Sequence, residues 1–113
     1  SKHEKVDVPY SRMKEGIVSV LKSNGMIKDF RVVKGYTPGL MRIYLKYDQQ
    51  GRPILKSLKR ESRPGLRRYV TVNEIPQVRS GFGIAVLSTS QGVVSGNEAK
   101  EKNIGGELLL SAW

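Results

Sequence analysis

Three consecutive hydroxyl side chains, Ser88, Thr89 and Ser90, follow the apolar run Ile84-Ala85-Val86-Leu87 and lead into a glycine turn at Gly92. A hydroxyl both donates and accepts hydrogen bonds, so a trio held at the end of a stiff strand can read a shaped polar surface. The same groups are poor nucleophiles here. Ser90 has no histidine to take its proton. The only histidine is His3, in a polar terminus, and His3-Glu4 lacks the second histidine of a metalloprotease pair. Cysteine is absent, which removes thiolate chemistry and disulfides. No Gly-Lys-Ser/Thr phosphate loop occurs. Gly81-Phe82-Gly83 lacks the third glycine of a dinucleotide fingerprint, and a strand follows it instead of a helix. The acids are scattered, apart from Glu107, which could order the Gly105-Gly106 turn. The chain is expected to bind and not to catalyse, with no metal, no cofactor and no small-molecule substrate.

Charge narrows the partner. Lysine and arginine total 20 against 10 acids, a net charge of +10 over 113 residues. Such an excess attracts polyanions, either nucleic acid or an anionic membrane surface. No apolar run approaches the roughly 20 residues of a spanning helix, and no secretory signal pattern is visible. A soluble, intracellular protein with no membrane partner is expected. Residues 1–62 hold 14 bases and 6 acids, a net +8, whereas residues 63–113 hold 6 and 4, a net +2. Within the segment from Arg52 to Arg68, Arg52, Lys56, Lys59, Arg60, Arg63, Arg67 and Arg68 face one acid, Glu61. This run reads as phosphate contact, strong and salt-sensitive with little sequence choice; a solvated strand face is the alternative. Arg42-Tyr44-Lys46 could track a backbone and stack a base, although strand tyrosines often serve packing. Tyr69, just after Arg67-Arg68, is the better stacking candidate. Ser88, Thr89 and Ser90 suit RNA, whose wide minor groove displays ribose hydroxyls and base edges. Gly83 and Gly92 would let the backbone come close to such a ligand. A strand end rich in small polar residues is the plainer reading.

These residues need elements to hold them. Residues 1–8 read as irregular. Ser11 reads as the N-cap of a helix whose stripe is Met13, Ile17, Val20 and Leu21, stopping at Gly25. A strand at 27–34, a turn at 35–39, an alternating strand at 40–47, a loop at 48–51 and a third strand at 54–60 complete a first layer. Arg63-Pro64-Gly65 reads as the joint between subdomains. Beyond it come a strand at 68–72, a helical turn at 73–75, a strand at 84–90 with Val93-Val94 pairing back, a helix at 97–102 and a last strand at 107–113. The expected fold is α+β: two small subdomains, 1–62 and 63–113, each a short antiparallel sheet with helix cover.

Three blocks carry a resemblance: Ser62-Arg63-Pro64-Gly65-Leu66-Arg67, Gly81-Phe82-Gly83-Ile84-Ala85-Val86-Leu87-Ser88-Thr89-Ser90, and Gly105-Gly106-Glu107-Leu108-Leu109. In order and spacing the chain resembles the eighth protein of the bacterial small ribosomal subunit, a family whose signature runs here from Gly83 to Lys100. The resemblance implies a structural component of the small subunit, in a bacterial-type or organellar ribosome. Such a component binds the central domain of small-subunit ribosomal RNA early, beside neighbouring ribosomal proteins, and supports RNA folding and assembly. It places the family's hydroxyl motif on Ser88, Thr89 and Ser90 and its stacking tyrosine on Tyr69. The expected RNA-binding set is Ser88, Thr89, Ser90, Tyr69, Gly92, Arg63, Arg67, Arg68, Lys56, Lys59 and Arg60. The family usually opens with a further helix, which this chain begins after, so the first layer is expected to lack it. The family also commonly has a base where this chain has Gln91, which removes one phosphate contact. An RNA-binding translational regulator acting outside the ribosome is the rival expectation.

Overall fold

The computed structural model describes residues 4–33, 35 and 39–113, and the chain divides into two compact units, 1–55 and 56–113. No helix among the described residues is long and apolar enough to cross a membrane.

In the first unit, β1 (Lys5–Pro9), β2 (Ile27–Val33) and β3 (Leu40–Leu45) form an antiparallel sheet in the order β1-β3-β2, with α1 (Arg12–Ser23) between the first two strands. The Ser11 hydroxyl caps α1 by accepting from the Lys14 amide at 3.0 Å. At the other end Gly25 takes φ +73°, and its amide and that of Met26 bond back to the carbonyls of Lys22 and Leu21. This paired closure needs a left-handed residue, which glycine supplies without strain. Val18, Val20 and Leu21 of α1, with Met26, Ile27 and Met41, are the buried apolar residues among those described in this unit, while Met13 is 44% exposed. Val18, outside the expected stripe, is buried, whereas Met13, expected within it, is not. Residues 5–8, within the segment expected to be irregular, belong to strand β1 because Val6 and Val8 alternate with polar neighbours and pair with Ile43 and Met41. The turn expected at 35–39 falls largely outside the described residues.

The strand expected at 54–60 is corrected in both extent and place. Only β4 (Leu58–Arg60) forms, and it pairs with β8 (Gly106–Ala112) in the second unit. The division between units thus falls before this strand, not at Arg63-Pro64-Gly65. That tripeptide instead makes a tight turn inside the second unit, with reciprocal backbone bonds between Arg63 and Leu66. Charge moves with it: residues 56–113 hold 9 bases and 5 acids, a net +4, against 11 and 5, a net +6, for residues 1–55.

The second sheet runs β4-β8-β6-β7, where β6 is Ile84–Thr89 and β7 is Gly92–Ser95; β5 (Tyr69–Val70) also pairs with β8. One face packs Ala85, Leu87, Val94 and Leu108 against Ile75 and against Ala99 of α2 (Gly96–Glu101). Gly96 is needed there, since a Cβ would press on Ile75 and Ala85. A bulge shifts the β6–β8 register between Val86↔Leu110 and Leu87↔Leu108, leaving Leu109 as the extra residue. Two 3-10 turns, Val72–Glu74 and Val78–Gly81, bridge β5 to β6.

Candidate nucleic-acid interface

β6 ends in a preformed hairpin. Thr89 pairs with Gly92 across the two-residue turn Ser90-Gln91. The Thr89 hydroxyl donates to the Gly92 carbonyl at 2.8 Å and accepts from the Gln91 amide at 3.0 Å. Thr89 thus braces the turn from within, and its donor is already spent. The hydroxyls of exposed Ser90 and half-buried Ser88 make no hydrogen bond among the described residues. Gly92 has φ +100° with open space where a Cβ would stand, so its role is conformational.

Strand register sets a row across this end of the sheet: Tyr69 on β5 pairs with Glu107 on β8, and Glu107 pairs with Ser88 on β6. Register partners share a face and neighbouring strands lie about 4.8 Å apart, so Tyr69 and Ser88 stand about 10 Å from each other with Glu107 between. Tyr69 is 70% exposed. Glycines permit this closeness. A Cβ on Gly106 would collide with the Ser88 carbonyl oxygen, and one on Gly105 with the Val70 carbonyl oxygen.

Glu107 is the residue whose part in this interface sequence reasoning did not foresee. Its carboxylate accepts from the Ser62 hydroxyl at 2.6 Å and from Arg67 Nη1 at 3.2 Å. The Ser62 hydroxyl in turn accepts from the Arg68 amide at 3.0 Å. Ser62 is 5% exposed, and its buried hydroxyl joins the Leu108 amide, bonded to the Arg68 carbonyl at 2.8 Å, in tying the arginine loop to β8. The Ser62 hydrogen bond holds the Glu107 carboxyl below the usual glutamate range; burial opposes this, and Arg67 adds to it. The only sequence signal was an acid straight after Gly105-Gly106 in a basic chain.

The cations fall into distinct groups. Arg67 and Arg68 flank the row but are ion-paired, Arg67 with Glu107 and Arg68 with Glu61 at 2.6 Å. Arg60 Nε donates to the Ser62 carbonyl at 2.9 Å. Lys56, Lys59 and Arg63 are exposed and make no ion pair among the described residues. Lys59 and Arg60 lie along β8 opposite Ser111 and Leu110. Lys56 is at the far end, its amide bonded to the Trp113 carbonyl. The row therefore gathers Ser88, Thr89, Ser90, Gly92, Tyr69, Arg67 and Arg68 but not Lys56. In the first unit Arg42 is bonded to Asp7 at 2.9 and 3.1 Å, and Arg31 lies 6.0 Å over the Tyr44 ring. These contacts occupy the Arg42-Tyr44 face within its own sheet. His3 lies outside the described residues.

A family model described as "Ribosomal protein S8" matches residues 1–113. The chain is 48% identical over 113 residues to "Small ribosomal subunit protein uS8" of Bdellovibrio bacteriovorus, covering all of this chain and 88% of that protein. It is 46% identical over 112 residues to the protein of the same name from Latilactobacillus sakei, covering 99% of this chain and 85% of the other. For Streptococcus thermophilus the identity is 43% over 113 residues, covering all of this chain and 86% of that relative. The chain belongs to the ribosomal protein S8 family. The resemblance read from the arginine block, the hydroxyl block and the Gly105-Gly106-Glu107 block is thereby shown, as is the α+β fold of two antiparallel sheets with helices. Members of the S8 family are structural components of the ribosome and not enzymes, which agrees with a site offering recognition groups and no activated nucleophile.

Proposed function

We propose that this S8-family chain is a structural constituent of the small ribosomal subunit that binds the central domain of small-subunit ribosomal RNA, and that it supports the folding and assembly of that RNA. Recognition centres on the braced turn and on the row Tyr69, Glu107, Ser88. The observation that carries this reading is the pair of open hydroxyls, Ser88 and Ser90, on a turn that Thr89 already holds in shape. Hydroxyls of this kind meet ribose hydroxyls and base edges in an RNA minor groove, and a distorted or bulged helix brings such groups within reach. Tyr69 stacks an unpaired base beside them. Lys59, Arg60, Arg63, Arg67 and Arg68 supply phosphate attraction, and Gln91 contributes a neutral amide where a cation would add one more contact. The uS8 names of the relatives support the setting: a cytoplasmic or organellar ribosome, with neighbouring small-subunit proteins as further partners.

The reading is tested by titrating the purified chain with two RNA hairpins of equal length at about 0.15 M salt. One carries the bulged central-domain helix and the other is perfectly paired. Preference for the bulged hairpin by tenfold or more is expected. Equal affinity would leave only non-specific charge attraction and remove the shape-reading role.

A further inference from the structure

The end of the second sheet remote from the hydroxyl turn carries an arrangement that the proposed contact does not use. Arg79, Ser80 and Gly81 take consecutive left-handed conformations, with φ of 50°, 54° and 94°. Two of the three are not glycine, and such residues adopt this backbone at a cost that persists mainly where structure or function requires it. The run lifts Phe82 into solvent: it is 89% exposed, the most exposed large apolar side chain among the described residues. Its amide bonds the Arg79 carbonyl at 3.0 Å, so the turn is fixed. Gly83 then packs so tightly on Trp113 and the Ala112 carbonyl that a Cβ would not fit. The Arg79 guanidinium sits 4.3 Å over the Trp113 ring, with its N–H edges still available. Lys56, exposed and unpaired, is bonded through its amide to Trp113. The cavity beside the turn is lined by Lys100 and by no carboxylate. The exposed Phe82 thus stands on a turn that also carries Arg79, beside a cavity lined by Lys100 and by no carboxylate, with the Lys56 backbone bonded at Trp113.

We infer that Phe82, with Arg79, Lys56 and Lys100, forms a second RNA contact, in which Phe82 stacks an unpaired base and the cations hold the adjoining phosphates. This rests on the ribosomal-RNA reading and extends it. Phe82 lies two residues before β6 begins at Ile84 and Ser88 four residue steps along it, so the strand itself sets about 13 Å between the turn and the hydroxyls. Charge complementarity selects RNA as the occupant, since an exposed phenyl ring on a turn bearing Arg79, next to a cavity lined by Lys100, matches a base flanked by phosphates.

The test compares wild type, Phe82→Ala and Ser90→Ala by hydroxyl-radical footprinting on intact small-subunit ribosomal RNA, with circular dichroism confirming the fold. Phe82→Ala should lose protection of one short unpaired segment, keep the protection that Ser90→Ala loses, and weaken binding about fivefold or more. Trp113, the sole tryptophan of the chain, should change its emission when that RNA is added to wild type. A Phe82→Ala footprint and affinity equal to wild type would overturn the second contact while leaving the hydroxyl turn intact. Unchanged Trp113 emission at RNA saturation, or a Phe82→Ala defect confined to capture of another ribosomal protein, would overturn it too. Absence of any wild-type footprint would sink the underlying ribosomal-RNA reading as well.

Discussion

Ser90 stands exposed at the tip of the second sheet with an unengaged hydroxyl, whereas the hydroxyl of its neighbour Thr89 is tied into the turn. The two residues should therefore respond differently to change. Ser90→Ala removes an exposed, unengaged hydroxyl and nothing from the fold, so on the proposed reading affinity for the bulged RNA should fall by about 1–2 kcal/mol with the urea midpoint unchanged. A measured affinity equal to wild type would exclude Ser90 from the contact. Glu107 acts through the fold as well. Glu107→Gln weakens the bonds from Ser62 and Arg67 and should cost about 1–2 kcal/mol of stability near neutral pH. The folded-state pKa is depressed, so this contribution is present above the ordinary value of 4.5 and is lost as pH falls through the folded value. Urea melts of both proteins should therefore converge below about pH 4.5 and separate above it. A constant gap across that range would mean that ionisation of Glu107 is not what the variant removes.

At the scale of elements, glycines of different kinds hold the row in place. Gly106→Ala would drive a methyl group into the Ser88 carbonyl oxygen and prise β8 from β6, costing about 1–3 kcal/mol and weakening RNA binding with it. Gly92→Ala meets open space and only a backbone penalty, about 1 kcal/mol. Thermal melts that rank these variants in the opposite order would contradict the packing described. Elements with strong local signals were legible in the sequence: the Ser11 cap and Gly25 stop of α1, the alternating β3, and the apolar β6 running into its hydroxyls. Those settled by distant pairing were not. β1 is recognised as a strand only beside β3, and β4 has three exposed residues whose place is fixed by β8, some fifty positions later. Proline and glycine at 64–65 marked a turn correctly, yet nothing local says whether a turn lies between units or inside one.

For the molecule as a whole, charge sets affinity and its sensitivity to salt. Lys59 is exposed and makes no ion pair among the described residues, so it is available to a phosphate, whereas Arg67 and Arg68 must first exchange their carboxylate partners. Lys59→Gln should lower the slope of log affinity against log salt by about 0.7–0.9 and weaken bulged and perfect hairpins alike. An unchanged slope would take Lys59 out of the footprint. The candidate residues were legible as types, hydroxyls and bases in a basic chain, but their grouping was not. Only the register of β8 reveals that Lys56 sits at one end of the sheet while Tyr69 and Ser88 share the other. Braced by Thr89, the hairpin turn has its shape before any partner arrives. A surface already set before contact gives up little conformational freedom on association, so the burden of adjustment passes to the nucleic acid. Magnesium, which settles an RNA into its folded contour in advance, should then tighten the complex by speeding its formation, with no reshaping of the protein.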